Sequence, residues 1–140
     1  MAAPDRPWVE ERLRASHNYW LATTRPDGRP HLVPVWGVWL DERFWFSSYA
    51  GVKLRNIEEN PAVVLTTETP REVVILDGTA EVVAEDALPA RYVEAFAAKY
   101  GPDWSGVGDD AALLVRVSPS VVRAWHEDEA TQPPARFTFG

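Results

Sequence analysis

Residues 30–40, with the sequence PHLVPVWGVWL, carry most of the information about the fold. In an extended strand, alternate side chains point to opposite faces. One alternate set here is Leu32, Pro34, Trp36, Val38 and Leu40, and the other is His31, Val33, Val35, Gly37 and Trp39. Both sets are largely apolar, so both faces of this strand need cover. A small sheet with one face in water would need cover on one face only. The pattern therefore favours a two-sided or closed β structure.

Further helices and strands can be assigned on both sides of this stretch from periodicity and turn residues. The predicted helices cover residues 7–16, 52–60 and 86–100. The predicted strands cover residues 18–24, 30–40, 43–48, 62–67, 72–84 and 111–125. Together they predict a mainly β (α+β) protein with one domain over residues 1–140, in which an antiparallel barrel is covered by about three helices.

Local signals add detail near the end of this pattern. The Asp77-Gly78 pair favours a bend or bulge in its strand, and Pro119 favours an edge position or a bulge in the last strand. Residues 126–140 look irregular, although Phe137 and Phe139 give this tail something to bury. We therefore expect six strands and an irregular C-terminal tail.

Composition and charge exclude several classes of protein. The chain has 14 Lys and Arg residues against 21 Asp and Glu residues, a net charge of −7, whereas nucleic-acid-binding domains are normally basic. It has no cysteine, which excludes disulfides, thiolate metal sites and cysteine nucleophiles. The first 20 residues contain neither the apolar core of a signal peptide nor a membrane span. We expect a cytoplasmic protein that binds neither nucleic acid nor a membrane.

The three histidines, His17, His31 and His126, do not indicate a catalytic triad or a metal centre. No G-x-S-x-G motif precedes a helix. His31 has no acidic or histidine partner at ligand spacing, and the acidic residues after His126 are typical of a solvated run. We therefore predict no metal and assign no catalytic side chain.

The passage from strand to helix at residues 46–56, FSSYAGVKLRN, is the best candidate for a phosphate site. The first turn of a helix offers unpaired N–H groups and partial positive charge, to which Ser47, Ser48 and Lys53 add donors and a full charge. The alternative is a solvated helix start with capping serines. Side chains that are two positions apart on a helix point in directions about 200° apart. Lys53 and Arg55 can therefore contact one phosphate only if the regular helix begins after Lys53 or if their long side chains curl back.

The aromatic-rich strand at residues 33–39 is a second candidate site. A strand with a proline leaves some backbone groups outside the sheet ladder, and these could bind the edge of a planar ring. The alternative is an ordinary core strand with a dimer interface on its other face.

The order and spacing of these blocks resemble a known superfamily. The matching blocks are WLATT (20–24), DGRPH (27–31), VPVW (33–36), FWFSS (44–48), KLRNI (53–57), NP (60–61) and GTA (78–80). They resemble the pyridoxamine 5′-phosphate oxidase-like superfamily of FMN-binding split β-barrels, and within it the small F420-dependent group of flavin and deazaflavin oxidoreductases. The resemblance covers about residues 18–85 and continues more loosely to the end.

This resemblance implies a six-stranded antiparallel split β-barrel that forms a homodimer, with two cofactor sites at the subunit interface. The cofactor phosphate would lie against Ser47, Ser48 and Lys53, with Arg55 assisting. The ring would lie along three neighbouring residues, Pro34, Val35 and Trp36. The substrate pocket would be completed by Trp39, Trp125 and His126, partly from the second subunit.

The implied function is an F420-dependent, or alternatively FMN-dependent, oxidoreductase that transfers a hydride between the cofactor and an electron-poor small molecule. The alternative from another class is a non-catalytic flavin, haem or tetrapyrrole binding protein on the same fold. Related chains often carry basic residues where this one has Ala50-Gly51-Val52. That departure, with the overall negative charge, keeps FMN and a loss of cofactor binding open.

Overall fold

The computed structural model of the chain describes residues 3–129 and 133–140. The helices are α1 (Arg6–Ala15), α2 (Val52–Glu59) and α3 (Tyr92–Tyr100). The strands are β1 (Tyr19–Thr24), β2 (Pro30–Val35), β3 (Val38–Leu40), β4 (Arg43–Tyr49), β5 (Ala62–Thr67), β6 (Glu72–Val83), β7 (Ala112–His126) and β8 (Ala135–Thr138). None of the helices in the described ranges is long and apolar enough to span a membrane.

All described strands form one antiparallel sheet in the order β2-β1-β5-β6-β7-β4-β3, and β8 pairs with β7 beside this path. The two end strands, β2 and β3, follow each other in the chain with only two residues between them. The sheet therefore curls into a half-barrel, which confirms the predicted mainly β split-barrel architecture with three helices.

The predicted number of six strands was too low, because the stretch over residues 30–40 forms two strands rather than one. The ladder is interrupted at Trp36 and Gly37. A Cβ atom on Gly37 would overlap the ring of Phe44 and the carbonyl oxygen of Trp45, so only glycine lets the chain pass this close to β4. The break redirects the chain from one edge of the sheet to the other.

The C-terminal tail accounts for the other additional strand. β8 pairs with β7 from Val121↔Thr138 to Ala124↔Ala135, where the sequence predicts irregular structure. Phe137 and Phe139 pack against the main core, as expected. Residues two positions apart share a face in a strand, so burial of both rings favours the extended conformation.

The bulge predicted near Asp77-Gly78 is confirmed. Gly78 pairs with Pro119 but Asp77 pairs with Val121, so Ser120 is the extra residue. Its hydroxyl donates to the Asp77 carbonyl oxygen at 2.9 Å. Pro119 thus lies where the ladder is already irregular and its missing N–H costs little.

Two apolar clusters hold the fold together. The larger fills the half-barrel and includes Leu21, Leu65 and Leu76, capped by Val9 and Leu13 of α1. Fully burying a side chain of this size contributes about 1.5–3 kcal/mol.

The smaller cluster lies under α3 and joins Tyr92 and Phe96 to Val38 and Trp45. Large side chains at every fourth position of this helix, Tyr92, Phe96 and Tyr100, therefore face the sheet. α3 nevertheless begins at Tyr92, because Asp86 belongs to a separate short turn, Glu85–Ala87.

Candidate functional site

A cavity of about 600 Å³ opens beside the interruption between β2 and β3. The ends of β2 and β4, the first turn of α2 and the segment from α3 to β7 surround it. Six of the seven residues predicted to bind a cofactor line it: Pro34, Val35, Trp36, Ser47, Ser48 and Lys53. The two stretches singled out separately in the sequence therefore meet at one place.

The polar end of the cavity is the start of α2. Gly51 is the N-cap residue of this helix, and no side chain caps its free N–H groups. Lys53 lies in the first turn, and burial lowers the pKa of its ammonium group. No carboxylate in the described part of the chain lies within ion-pair distance of Lys53. This end thus offers an unpaired positive charge and unpaired N–H groups to an anion.

The two serines lie on the wall next to this helix without capping it. The Ser48 hydroxyl donates to the Tyr49 carbonyl oxygen at 3.1 Å. Ser47 lies beneath Gly106. A Cβ atom at position 106 would lie 2.5 Å from the Ser47 hydroxyl, and the positive φ of 82° there also favours glycine. The alternative of capping serines is therefore not what this structure has, and both hydroxyls remain part of the cavity wall.

The other end of the cavity is aromatic. The Trp36 indole is stacked on the Tyr100 ring, with centroids 4.6 Å apart and an interplanar angle of 10°. Trp104 meets Trp36 edge to face at 6.2 Å. Trp36 is 39% exposed and Trp104 is 60% exposed, although a tryptophan is costly to leave in water. This end provides flat apolar surface that is available to a planar ligand.

The segment over residues 102–109 forms much of the cavity wall and was missed in the sequence analysis. It contributes Trp104, Asp103 and Asp109 to the lining. The Tyr49 hydroxyl donates to Asp109 at 2.6 Å, which raises the pKa of Tyr49 and lowers that of Asp109. A tryptophan within the glycine-rich run GPDWSGVGDD was the signal that could have identified this segment.

The remaining predicted site residues lie away from this cavity. Arg55 is exposed on another side of α2, as the angle between positions two apart requires. Trp39 is 3% exposed in the main core, where its indole N–H donates to Glu10 at 3.3 Å. Trp125 lies on β7 opposite Val73. The cofactor role of Arg55 and the substrate-pocket roles of Trp39 and Trp125 stay predictions.

His126, also predicted for the substrate pocket, lines a different cavity. That cavity, of about 640 Å³, lies between the start of α1, the start of β6 and the end of β7. The His126 ring packs edge to face on Trp8 at 4.8 Å. Its substrate-pocket role stays a prediction.

Comparisons with known proteins agree with this architecture. The family model for pyridoxamine 5′-phosphate oxidase matches residues 6–126. A Rubrobacter xylanophilus protein described as a pyridoxine/pyridoxamine 5′-phosphate oxidase is 38% identical over an alignment of 94 residues, and the match covers 61% of this chain and 43% of the relative. The chain therefore spans less than half the length of that curated relative.

Two solved structures have a similar fold. A conserved hypothetical protein from Mycobacterium tuberculosis matches with a TM-score of 0.78 and 22% identity, over 99% of this chain and 93% of the other. A structure described as an F420 reductase matches with a TM-score of 0.68 and 27% identity, over 86% and 98%. The family match over most of the chain and the half-barrel with its cavity lead to one conclusion: this chain belongs to the pyridoxamine 5′-phosphate oxidase family of split β-barrels.

Proposed function

We propose that this protein is an F420- or FMN-dependent oxidoreductase that transfers a hydride between the cofactor and an electron-poor small molecule. One observation carries the proposal: six residues chosen from the sequence converge on one cavity with a cationic end and an aromatic end. The bound cofactor supplies the hydride chemistry, and the protein contributes binding, orientation and exclusion of water.

The polar end fits the phosphate that both cofactors carry. Lys53 has no carboxylate partner among the described residues, and the start of α2 has no side-chain cap. A phosphate would meet both needs at once, with the Ser47 and Ser48 hydroxyls as further donors. Arg55 points elsewhere on the helix, so Lys53 is the residue expected to hold most of the phosphate charge.

The aromatic end fits a planar ring system. Pro34, Val35 and Trp36 line this side of the cavity, and Tyr100 supports Trp36 from behind by stacking. Flat apolar surface next to a polar end is the usual form of a cofactor pocket. Tyr49 is the hydroxyl at the mouth that could hold a proton, although solvent supplies one equally well there.

The charge of the lining bears on the choice of cofactor and substrate. Lys53 is the one cationic side chain among the described lining residues, whereas Asp103 and Asp109 are acidic. The oligoglutamate tail of F420 favours a basic groove, so this lining supports FMN, while the resemblance to the F420-dependent group supports F420. A phosphorylated pyridoxine substrate would need a second basic group, which the described lining lacks.

We also propose that the protein is a homodimer that completes the site from a second copy. On the outer face of the sheet, Trp20 is 41% exposed and Leu32 is 61% exposed. Trp20 pairs with Pro34, so this apolar face is continuous with the cavity wall. Light scattering should give twice the 15.7 kDa mass of one chain, and Leu32→Glu should yield monomers. A monomeric parent protein would contradict this part of the proposal.

The test of the proposed function is a fluorescence titration of the purified protein with F420 and, separately, with FMN. Micromolar or tighter binding of F420 alone fixes the cofactor, and the reduced form is then offered to electron-poor substrates. A preference for FMN places the protein among the flavin-dependent members. Binding of neither overturns the proposal, and haem is then titrated for the non-catalytic alternative.

A further inference from the structure

We propose that Lys99 and Tyr100, in the last turn of α3, are positioning residues for the cavity: they bind both backbone groups of Gly37 and thereby fix the orientation of Trp36. The expected effect of these contacts on cofactor binding rests on the proposed function. The hydrogen bonds from Lys99 and to Tyr100 that hold Gly37, which we call the clamp, do not depend on it, because they are contacts within the chain.

Both backbone polar groups of Gly37 are hydrogen-bonded to side chains of α3. This buried residue lies between the end of β2 at Val35 and the start of β3 at Val38. Its N–H donates to the Tyr100 hydroxyl at 3.0 Å, and its carbonyl oxygen accepts from the Lys99 ammonium group at 3.0 Å. Buried backbone groups need partners, and here side chains of a helix replace the missing sheet partner.

Tyr100 contacts both the backbone of Gly37 and the indole of Trp36. Its hydroxyl accepts from Gly37 and donates to the His17 carbonyl oxygen at 2.6 Å. Its ring is stacked on the Trp36 indole. His17 closes the group, because its ring meets both Trp36 and Tyr100 edge to face, at 5.4 Å and 5.0 Å. Tyr100 therefore holds the backbone after Trp36 and covers one face of the indole, whose N–H donates to the Asn18 side chain at 3.0 Å.

Lys99 carries its positive charge in a half-buried position. No carboxylate in the described ranges pairs with it. Its ammonium group instead donates to the Tyr19 hydroxyl at 2.6 Å and to Gly37, and lies over the Tyr19 ring at 4.6 Å. Burying an ammonium group without a carboxylate is unfavourable, and burial lowers its pKa to about 8. An apolar side chain would fill the space at lower cost, so what the lysine adds is its pair of hydrogen bonds, which join Gly37 to Tyr19 of β1.

The test without cofactor is amide hydrogen exchange at Gly37. Tyr100→Phe keeps the ring but removes the acceptor of the Gly37 N–H. We expect exchange at Gly37 to become at least tenfold faster, while the amide of Leu21 in the main core keeps its rate. Unchanged exchange at Gly37 in this variant would overturn the clamp.

The test of positioning is the affinity for whichever cofactor the parent protein binds. Tyr100→Phe and Lys99→Met should each raise Kd about five- to tenfold. Tyr19→Phe is the matched control, because it removes the other partner of Lys99 and leaves Gly37 untouched. It should lower the melting temperature and keep the parental Kd.

Two results separate the possible failures. If all three variants change Kd only in proportion to their loss of melting temperature, the role of Lys99 and Tyr100 is structural and the positioning proposal is wrong. If the parent protein binds neither cofactor, the proposed function fails, while hydrogen exchange at Gly37 still decides whether the clamp exists.

Discussion

The two ends of the cavity are built in different ways. The polar end comes from one short run of chain, in which Ser47, Ser48 and Lys53 lie at the end of β4 and the start of α2. The aromatic end brings together residues that are far apart in the sequence: Trp36 lies between β2 and β3, whereas Tyr100 and Trp104 lie at and after the end of α3. A local site can be recognised from its sequence, whereas an assembled one requires the fold.

The largest expected effect tests the polar end. Lys53→Ala should weaken cofactor binding by about 1.5–3 kcal/mol, roughly 10- to 150-fold in Kd, because it removes a hydrogen bond to a charged group. Fluorescence titration measures the change. Arg55→Ala, two residues further along the same helix, is the control and should leave Kd nearly unchanged. An equal loss in both variants would mean that the phosphate does not lie at the Lys53 side of α2.

The next effect tests the scaffold of the aromatic end. Gly37→Ala should destabilise the fold by about 1–3 kcal/mol, because the added methyl group overlaps Phe44 and the Trp45 carbonyl oxygen. Urea unfolding measures the change in free energy. Gly108→Ala serves as a comparison, since nothing lies within 4 Å of a Cβ there and only its positive φ of 85° opposes the substitution. A parental stability for Gly37→Ala would show that β2 and β3 are not held this closely against β4.

A smaller effect is expected for the exposed ring of the aromatic end. Trp104→Ala should weaken cofactor binding by about 0.5–1.5 kcal/mol, the range for an aromatic pair, and leave the melting temperature close to that of the parent. Val93→Ala, an exposed apolar residue of α3 that does not line the cavity, should change neither quantity. If Trp104→Ala lowers the melting temperature without affecting Kd, Trp104 belongs to the scaffold and not to the ligand wall.

The smallest effect is the pH dependence of stability. Burial lowers the pKa of Lys99 to about 8, against an ordinary value of 10.5. The free-energy cost of burying the charged ammonium group is therefore fully present below pH 8, and it declines above pH 8 because the folded protein loses this proton first. The free energy of unfolding should therefore rise between pH 8 and about pH 9.5, before the tyrosines begin to ionise in the unfolded chain. Lys99→Met should reduce this rise, and the part that remains belongs to Lys53, whose pKa burial also lowers. A rise of undiminished size in this variant would assign the effect to groups other than Lys99.

The sequence predicted the class of the fold and most of the polar end, for physical reasons. The nearly continuous apolar residues at 30–40 needed cover on both faces, and a helix start next to Lys53 favoured an anion. The interruption at Trp36-Gly37 was missed, because it depends on the approach of Phe44 and on partners from α3. Trp104 was missed for the same reason, since a loop residue gains a role only when the chain brings it to the cavity.

The β2 edge of the sheet has a consequence for solubility. Proline has no N–H group to donate to a neighbouring strand. Pro30 and Pro34 therefore occupy positions of β2 whose nitrogen atoms face away from β1. Of the three outward positions on this edge, 30, 32 and 34, only Leu32 retains a hydrogen-bond donor. Pairing of a foreign strand with this edge is therefore disfavoured, which protects the protein against edge-to-edge aggregation.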